Sequence, residues 1–264
     1  MPAAARYGDP AAKLDAINDV LRLQLAHRSV RRFGPRDVSD DELAAIIAAA
    51  QSASTSSNLQ VWSVVAVRDP QRRARLAVLA GNQAFIAQAP LFLVWIADLS
   101  RVHRLAERAG TQVGAVDYLE TTIVGFVDTA LAAQNAAVAA ESLGLGTVFV
   151  GAVRNRPEEI AAELGLPPHA VAAFGLAVGT PDPTEAADVK PRLPREAVLH
   201  RERYDVAADA HIPAYDVRLS AYNARFGLDG NWSDRALSRL AGPDSMAGRH
   251  RLREILERLG LPSR

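Results

Sequence analysis

Leu91-Phe92-Leu93-Val94-Trp95-Ile96-Ala97 is an unbroken apolar run of β-branched and aromatic residues. It is too short for an independent helix, and it predicts a strand buried on both faces. Val61-Trp62-Ser63-Val64-Val65-Ala66-Val67 has the same character and predicts a second strand. Between the two, Asp69-Pro70 supplies a cap and a first helical position for a helix reaching about Leu79. Downstream, Thr147 to Val153 and Val171 to Val178 predict two more strands, with Arg156-Pro157-Glu158 opening a helix between them. Strands and helices therefore interleave, with connections of unequal length.

Outside this block the apolar period is helical. Leu14, Ile17, Val20, Leu21 and Leu25 predict an amphipathic helix from Ala11 to Ala26 that delivers His27 at its end. Ser39-Asp40-Asp41-Glu42 predicts a capping box for a helix reaching about Ala50. Val113 to Leu143 predicts the longest, central helix, buried on most sides and ended by Gly144. Four prolines between Pro181 and Pro194 predict an extended crossing segment. Helices are then expected near Tyr215 to Phe226, Ser233 to Leu240 and Met246 to Leu259, packed on the main core or on another subunit. The expected division is a tail over residues 1–10, a core over 11–199 and a helical extension over 200–264.

Thirty basic and thirty acidic side chains cancel, which leaves no global field for a polyanion and disfavours bulk nucleic-acid binding. The absence of cysteine removes disulfides, thiolate metal sites and thiol nucleophiles. With no apolar signal region among the first ten residues, the compartment expected is the cytoplasm. The run Leu91 to Ala97 is far shorter than the roughly 20 residues a membrane span needs. The six histidines show no metal-ligand spacing, so no metal is expected. No G-x-S-x-G elbow is present either.

Two basic stretches carry the chemistry. His27-Arg28-Ser29-Val30-Arg31-Arg32-Phe33 and Lys190-Pro191-Arg192 would, if they converge, cradle a phosphomonoester. Each charge-assisted contact is worth roughly 1.5–3 kcal/mol. Alone, the first stretch is better read as a solvated basic turn. Ser54-Thr55-Ser56-Ser57-Asn58-Leu59-Gln60 offers small donors for the polar edge of a flat heterocycle, with a capped loop as the plain alternative. Gly151-Ala152 at a strand end would let backbone approach a ring, or mark a tight turn. Gln83 is a ring-edge donor or a helix start. Gly144-Leu145-Gly146 precedes a strand, whereas a dinucleotide fingerprint must follow one, and that reading is rejected.

His27-Arg28-Ser29-Val30-Arg31, the run ending Ser57-Asn58-Leu59-Gln60, Gln83, Ala139-Ala140-Glu141-Ser142-Leu143-Gly144-Leu145-Gly146, Phe149-Val150-Gly151 and Lys190-Pro191-Arg192-Leu193-Pro194 together resemble the oxygen-insensitive NAD(P)H nitroreductase and flavin reductase P family in order and spacing. The resemblance implies an α+β fold with a central, mostly antiparallel sheet flanked by helices. It also implies an obligate homodimer with FMN at the interface and a ping-pong cycle driven by NADPH or NADH. On that reading His27, Arg28, Ser29, Lys190 and Arg192 hold the FMN phosphate, and Arg31 lies near the ring and the nicotinamide. Thr55, Ser56 and Ser57 reach the flavin from the other subunit, while Gln83 and the backbone of Phe149, Val150, Gly151 and Ala152 flank the isoalloxazine.

The flavin carries the redox chemistry, so no protein acid, base or nucleophile is expected, and the substrates implied are electron-poor aromatics such as nitroaromatics, quinones and free flavin. The chain departs from the family pattern at Ala152, usually Gly, and after Arg225. There Phe226-Gly227-Leu228-Asp229-Gly230-Asn231 lacks the further arginines that serve the 2′-phosphate of NADPH, leaving the choice between NADPH and NADH open. A non-enzymatic flavin- or anion-binding protein is the alternative.

Overall fold

The computed structural model describes residues 2–264. The chain divides into two compact units. The larger comprises Ser29–Glu185 and Ala247–Arg264, the smaller the segment up to Arg28 and Ala186–Met246.

The larger unit is built on four strands, β1 (Trp62–Val67), β2 (Leu91–Asp98), β3 (Gly146–Val150) and β4 (Ala170–Gly179). They lie in the order β1-β2-β4-β3, every pair antiparallel. Every residue of β2 is buried, as the unbroken apolar run requires. Trp95 pairs with Val64 on one side and Phe174 on the other, just before a register shift between Trp95 and Ile96. The third strand ends at Val150, three residues earlier than its sequence predicts. Gly151–Asn155 coils into a 3-10 turn that buries Val153 against Ile86 and Ile160, a gain that an edge strand with one neighbour cannot match by continuing.

Helices cover both faces. On one, α3 (Asp40–Gln51) and α7 (Leu119–Ser142) bury Ile46, Ala50, Ala132, Ala133, Ala136, Ala137 and Ala140 against Leu91, Leu93 and Trp95. On the other, α4 (Pro70–Leu79), α5 (Ala84–Gln88) and α8 (Pro157–Leu164) pack Leu76, Ala77, Ile86 and Ile160 against Phe92, Val94 and Ile96. The capping box forms as predicted, with the Ser39 hydroxyl accepting from the Glu42 amide at 3.1 Å and the Glu42 carboxylate accepting from the Ser39 amide at 2.8 Å. Asp69 likewise caps α4, accepting from the Arg72 amide at 2.7 Å.

The central helix begins at Leu119, after a 3-10 turn at Gly114–Asp117, and Gly144 follows it with φ +78°. Its burial is one-sided. Leu119, Ile123, Val127 and Leu131, four residues apart, are 52%, 48%, 50% and 44% exposed and form an apolar stripe opposite the alanines. Length and composition alone would let α7 cross a membrane, but its alanine face is core packing. α6 (Ser100–Ala109) follows β2, and α11 (Leu252–Arg258) with the residues after it brings Leu256 and Leu261 into a cluster with Leu99 and Val171. The single helix expected from Met246 to Leu259 is broken because Gly248 takes φ +85°.

The smaller unit holds α1 (Pro2–Tyr7), α2 (Asp19–Ala26), α9 (Ile212–Ala224) and α10 (Trp232–Arg239). Its core is Tyr215, Leu219 and Tyr222, with Leu193, Phe226 and Trp232 packed around them. The helix predicted from Ala11 starts only at Asp19. The Asn18 side chain accepts from the Leu21 amide at 2.9 Å and holds residue 18 extended, so the helix cannot propagate backwards.

Candidate functional site

In the smaller unit the two basic stretches meet at a residue that the sequence reading leaves in the tail. The Arg6 guanidinium, 8% exposed, donates to the carbonyls of Leu25 at 2.9 Å and His27 on one side and of Lys190 at 3.0 Å on the other. The Arg192 amide returns a bond to the Arg6 carbonyl at 2.9 Å. Arg is suited to this junction because its planar fork reaches several acceptors in fixed directions. The backbone of His27 and of Lys190 thereby meets at one buried guanidinium, with the Arg192 backbone tied to the same residue.

α9 fixes the second stretch from behind. Tyr215 and Tyr222, seven residues apart and so on one helical face, donate their hydroxyls to the carbonyls of Pro191 at 3.0 Å and Asp188 at 2.8 Å. Burial pushes both phenols up. The Lys190 ammonium lies 5.7 Å from the Tyr222 ring centroid. Arg225 pairs with Asp188 at 2.7 Å and covers the rings of Tyr222 and Phe226. The Asp188 carboxyl is held below its ordinary range, first by the Val189 amide, then by Arg225, with Arg28 contributing charge. An acidic residue thus stands near Arg28 and Arg225.

In the larger unit Ser29 forms a parallel bridge with Thr147 at the start of β3, and the Val30 amide donates to the Thr147 carbonyl at 2.9 Å. Gly146 makes this approach available, since a Cβ there would lie 2.5 Å from a methyl of Val30. Arg31 is exposed, its amide donating to the Glu185 carboxylate at 2.8 Å. Phe149 is 38% exposed between buried Val148 and Val150, and its ring meets Phe174 edge-on at 5.5 Å. Gly151 and Ala152 open the 3-10 turn beyond it. Gln83 precedes α5 without a side-chain cap; the neighbouring Gly81 takes φ +77° and abuts Asn155 at the far end of that 3-10 turn.

Thr55, Ser56 and Ser57 sit on a loop with exposed Ser56 and Ser57 and left-handed Ser57, Asn58 and Gln60, at φ 49°, 55° and 52°. The Ser56 amide donates to the carboxylate of Asp128, a residue of α7 that is 1% exposed. Asp128 and Arg6 are the residues that sequence reasoning missed. A lone aspartate in an alanine-rich helix was the available signal for the first; nothing local distinguishes the second.

Comparison with known proteins identifies the family. The family model described as "Nitroreductase family" matches residues 25–180, and "Nitroreductase family, C-terminal domain" matches residues 190–264. The chain is 37% identical over 229 residues to a Bacillus subtilis FMN reductase (NADPH), covering 84% of this chain and 91% of that protein. It is 39% identical over 221 residues to a Salmonella typhimurium oxygen-insensitive NADPH nitroreductase, covering 83% and 89%. The solved structure of NfrA2 from B. megaterium superposes with a TM-score of 0.87 at 38% identity, covering 93% of this chain and 98% of that one. With both parts of the chain matched and its fold shared, this protein belongs to the nitroreductase family.

Proposed function

We propose that this protein is an NAD(P)H-dependent FMN oxidoreductase that reduces nitroaromatics, quinones or free flavin. The observation that carries the reading is the meeting of the His27-Arg28 and Lys190-Pro191-Arg192 stretches at buried Arg6. That donor set suits a phosphate dianion, with planar guanidinium forks, an ammonium and an imidazole on backbone that Arg6, Tyr215 and Tyr222 hold in place. Family membership, and relatives named for FMN and NADPH, supply the ligand.

When bound, FMN supplies the hydride and electron chemistry. The chain's own residues bind and orient. His27, Arg28, Ser29, Lys190 and Arg192 hold the phosphate end, while Gln83, Phe149, Val150, Gly151 and Ala152 flank the ring. Arg31 and Arg225 would serve the nicotinamide donor. No side chain is assigned as acid, base or nucleophile, because hydride transfer to a flavin needs none from the protein.

The working form is a homodimer in which Thr55, Ser56 and Ser57 serve the flavin of the second copy. The apolar stripe Leu119, Ile123, Val127 and Leu131 supports this, since four half-exposed aliphatic side chains in line on one helix favour burial against a partner.

The test is an FMN titration followed by anaerobic mixing with NADPH and with NADH. Tight 1:1 binding per protomer and rapid bleaching of the flavin absorbance are expected. Binding without bleaching would establish the non-enzymatic alternative, and absence of FMN binding would remove the reading altogether.

A further inference from the structure

The Ser/Thr loop is not a passive connection. Three of its residues without the freedom of glycine, Ser57, Asn58 and Gln60, take left-handed backbone, which persists only when surrounding structure over-determines it. Two side chains from other elements do so. At one end an Asp128 carboxylate oxygen accepts from the Ser56 amide at 3.0 Å. At the other, Arg101 of α6 donates to the Gln60 carbonyl at 2.9 Å, its second terminal nitrogen donating to the Ser63 hydroxyl at 3.1 Å.

Asp128 is the unusual member of this pair. It lies in the middle of α7, 1% exposed, and its Oδ2 is buried with no hydrogen-bond partner. A buried acceptor left unmatched in this way is uncommon and calls for an explanation. Asp128 lies on the buried side of α7, a turn of about 100° from half-exposed Val127, and what it reaches there is the Ser56 amide.

We propose that Asp128 is a positioning residue for the cofactor site: its carboxylate locks the strained 55–60 loop so that Ser56 and Ser57 present their donors in one fixed geometry. The inference rests on the flavin reading for what those donors meet, but not for the clamp itself. Preorganised donors need no reordering when the ligand arrives, and loss of the clamp transfers that ordering to the binding step. The effect is on FMN affinity and on the environment of the bound flavin rather than on hydride transfer.

The experiment compares Asp128→Ala and Asp128→Asn with the wild-type full-length protein. Hydrogen exchange of residues 54–60 is measured without FMN, then the FMN dissociation constant and the visible circular dichroism of the loaded protein. Asp128→Ala is expected to lose protection at the Ser56 amide and to weaken FMN at least tenfold, with kcat of the FMN-saturated enzyme within a factor of two. Asp128→Asn keeps an oxygen for the Ser56 amide and is expected to restore both protection and affinity. Unchanged Ser56 exchange in Asp128→Ala overturns the clamp. Lost protection with unchanged FMN affinity and dichroism overturns the cofactor role. A wild-type protein that binds no FMN removes the flavin reading, while the exchange result still decides the clamp.

Discussion

Arg6 donates to the carbonyl of Lys190 at 3.0 Å across 184 residues of sequence, from a side chain 8% exposed to solvent. Its other bonds go to Leu25 and His27, so one guanidinium ties the end of α2 to the proline-rich segment. Arg6→Ala removes all three donors from partly buried carbonyls, and is expected to destabilise the fold by about 2–4 kcal/mol. FMN retention on dialysis should fall with it. Urea unfolding checks the first, and a shift below about 0.5 kcal/mol would show that water replaces the guanidinium without loss.

Gly146 and Val30 form the tightest approach between β3 and the basic turn. An alanine Cβ would stand 2.5, 2.8 and 2.9 Å from three side-chain atoms of Val30, and a β-branched side chain has few alternative rotamers to retreat into. Gly146→Ala should therefore destabilise by about 1–3 kcal/mol, with Val30→Ala in the same chain recovering part of the loss. Lack of recovery in the double variant would place the strain elsewhere.

His103 on α6 stacks on His169 with centroids 3.5 Å apart, and the His169 Nδ1 lies 2.7 Å from the Gly260 carbonyl near the C-terminus. Burial lowers the His103 pKa, the neighbouring His169 adds to that, and Asp117 and Glu107 oppose it. Folding thus favours the neutral ring. The contribution to stability is complete above the ordinary value of 6.5 and is lost as pH falls from there through the lower folded value. Thermal unfolding across pH 5 to 8 should show this decline, and His103→Phe, which keeps the stack, should flatten it. An unchanged slope in the variant would assign the decline to other groups.

What the sequence makes legible follows the range of the interactions involved. Ser39 with Glu42, and Asp69 with Pro70, are local signals and appear where their spacing puts them. The Leu91 to Ala97 strand is legible because burial on both faces leaves a continuous apolar run. The start of α2 is less so: Asn18, by capping, overrides the apolar period of Leu14 and Ile17. The exposed stripe on α7 is hidden because the residues of a core face and of a candidate subunit face are both apolar. The cradle residues are conspicuous as clustered charge. Arg6 and Asp128 are not, since each acts through bonds to backbone groups brought near only by the completed fold.

Leu131 lies at the end of the α7 stripe, 44% exposed, whereas Ala132 and Ala133, which follow it, turn into the core. Leu131→Arg leaves the protomer's packing intact but sets a charge in the apolar contact proposed between copies, where desolvation without a partner is costly. Sedimentation should move from dimer toward the 28.3 kDa protomer, with bound FMN lost in parallel. A variant that stays dimeric would show that the copies meet through another surface.

Asp188 holds Arg225 at 2.7 Å in a pair whose side chains are 45% and 60% exposed, respectively. Such a pair contributes about 1 kcal/mol or less, which bounds what its removal can do. Arg225 is the arginine proposed to meet the 2′-phosphate of the donor, and Asp188 engages it and would repel a dianion. Asp188→Asn should lower the KM for NADPH by up to about fivefold, the equivalent of that energy, and leave the KM for NADH nearly unchanged, because NADH carries no 2′-phosphate. Steady-state kinetics with each donor measures the ratio. Equal changes for the two donors would mean that Arg225 does not meet the 2′-phosphate, and that Asp188 acts only on the cradle it shares with Arg28.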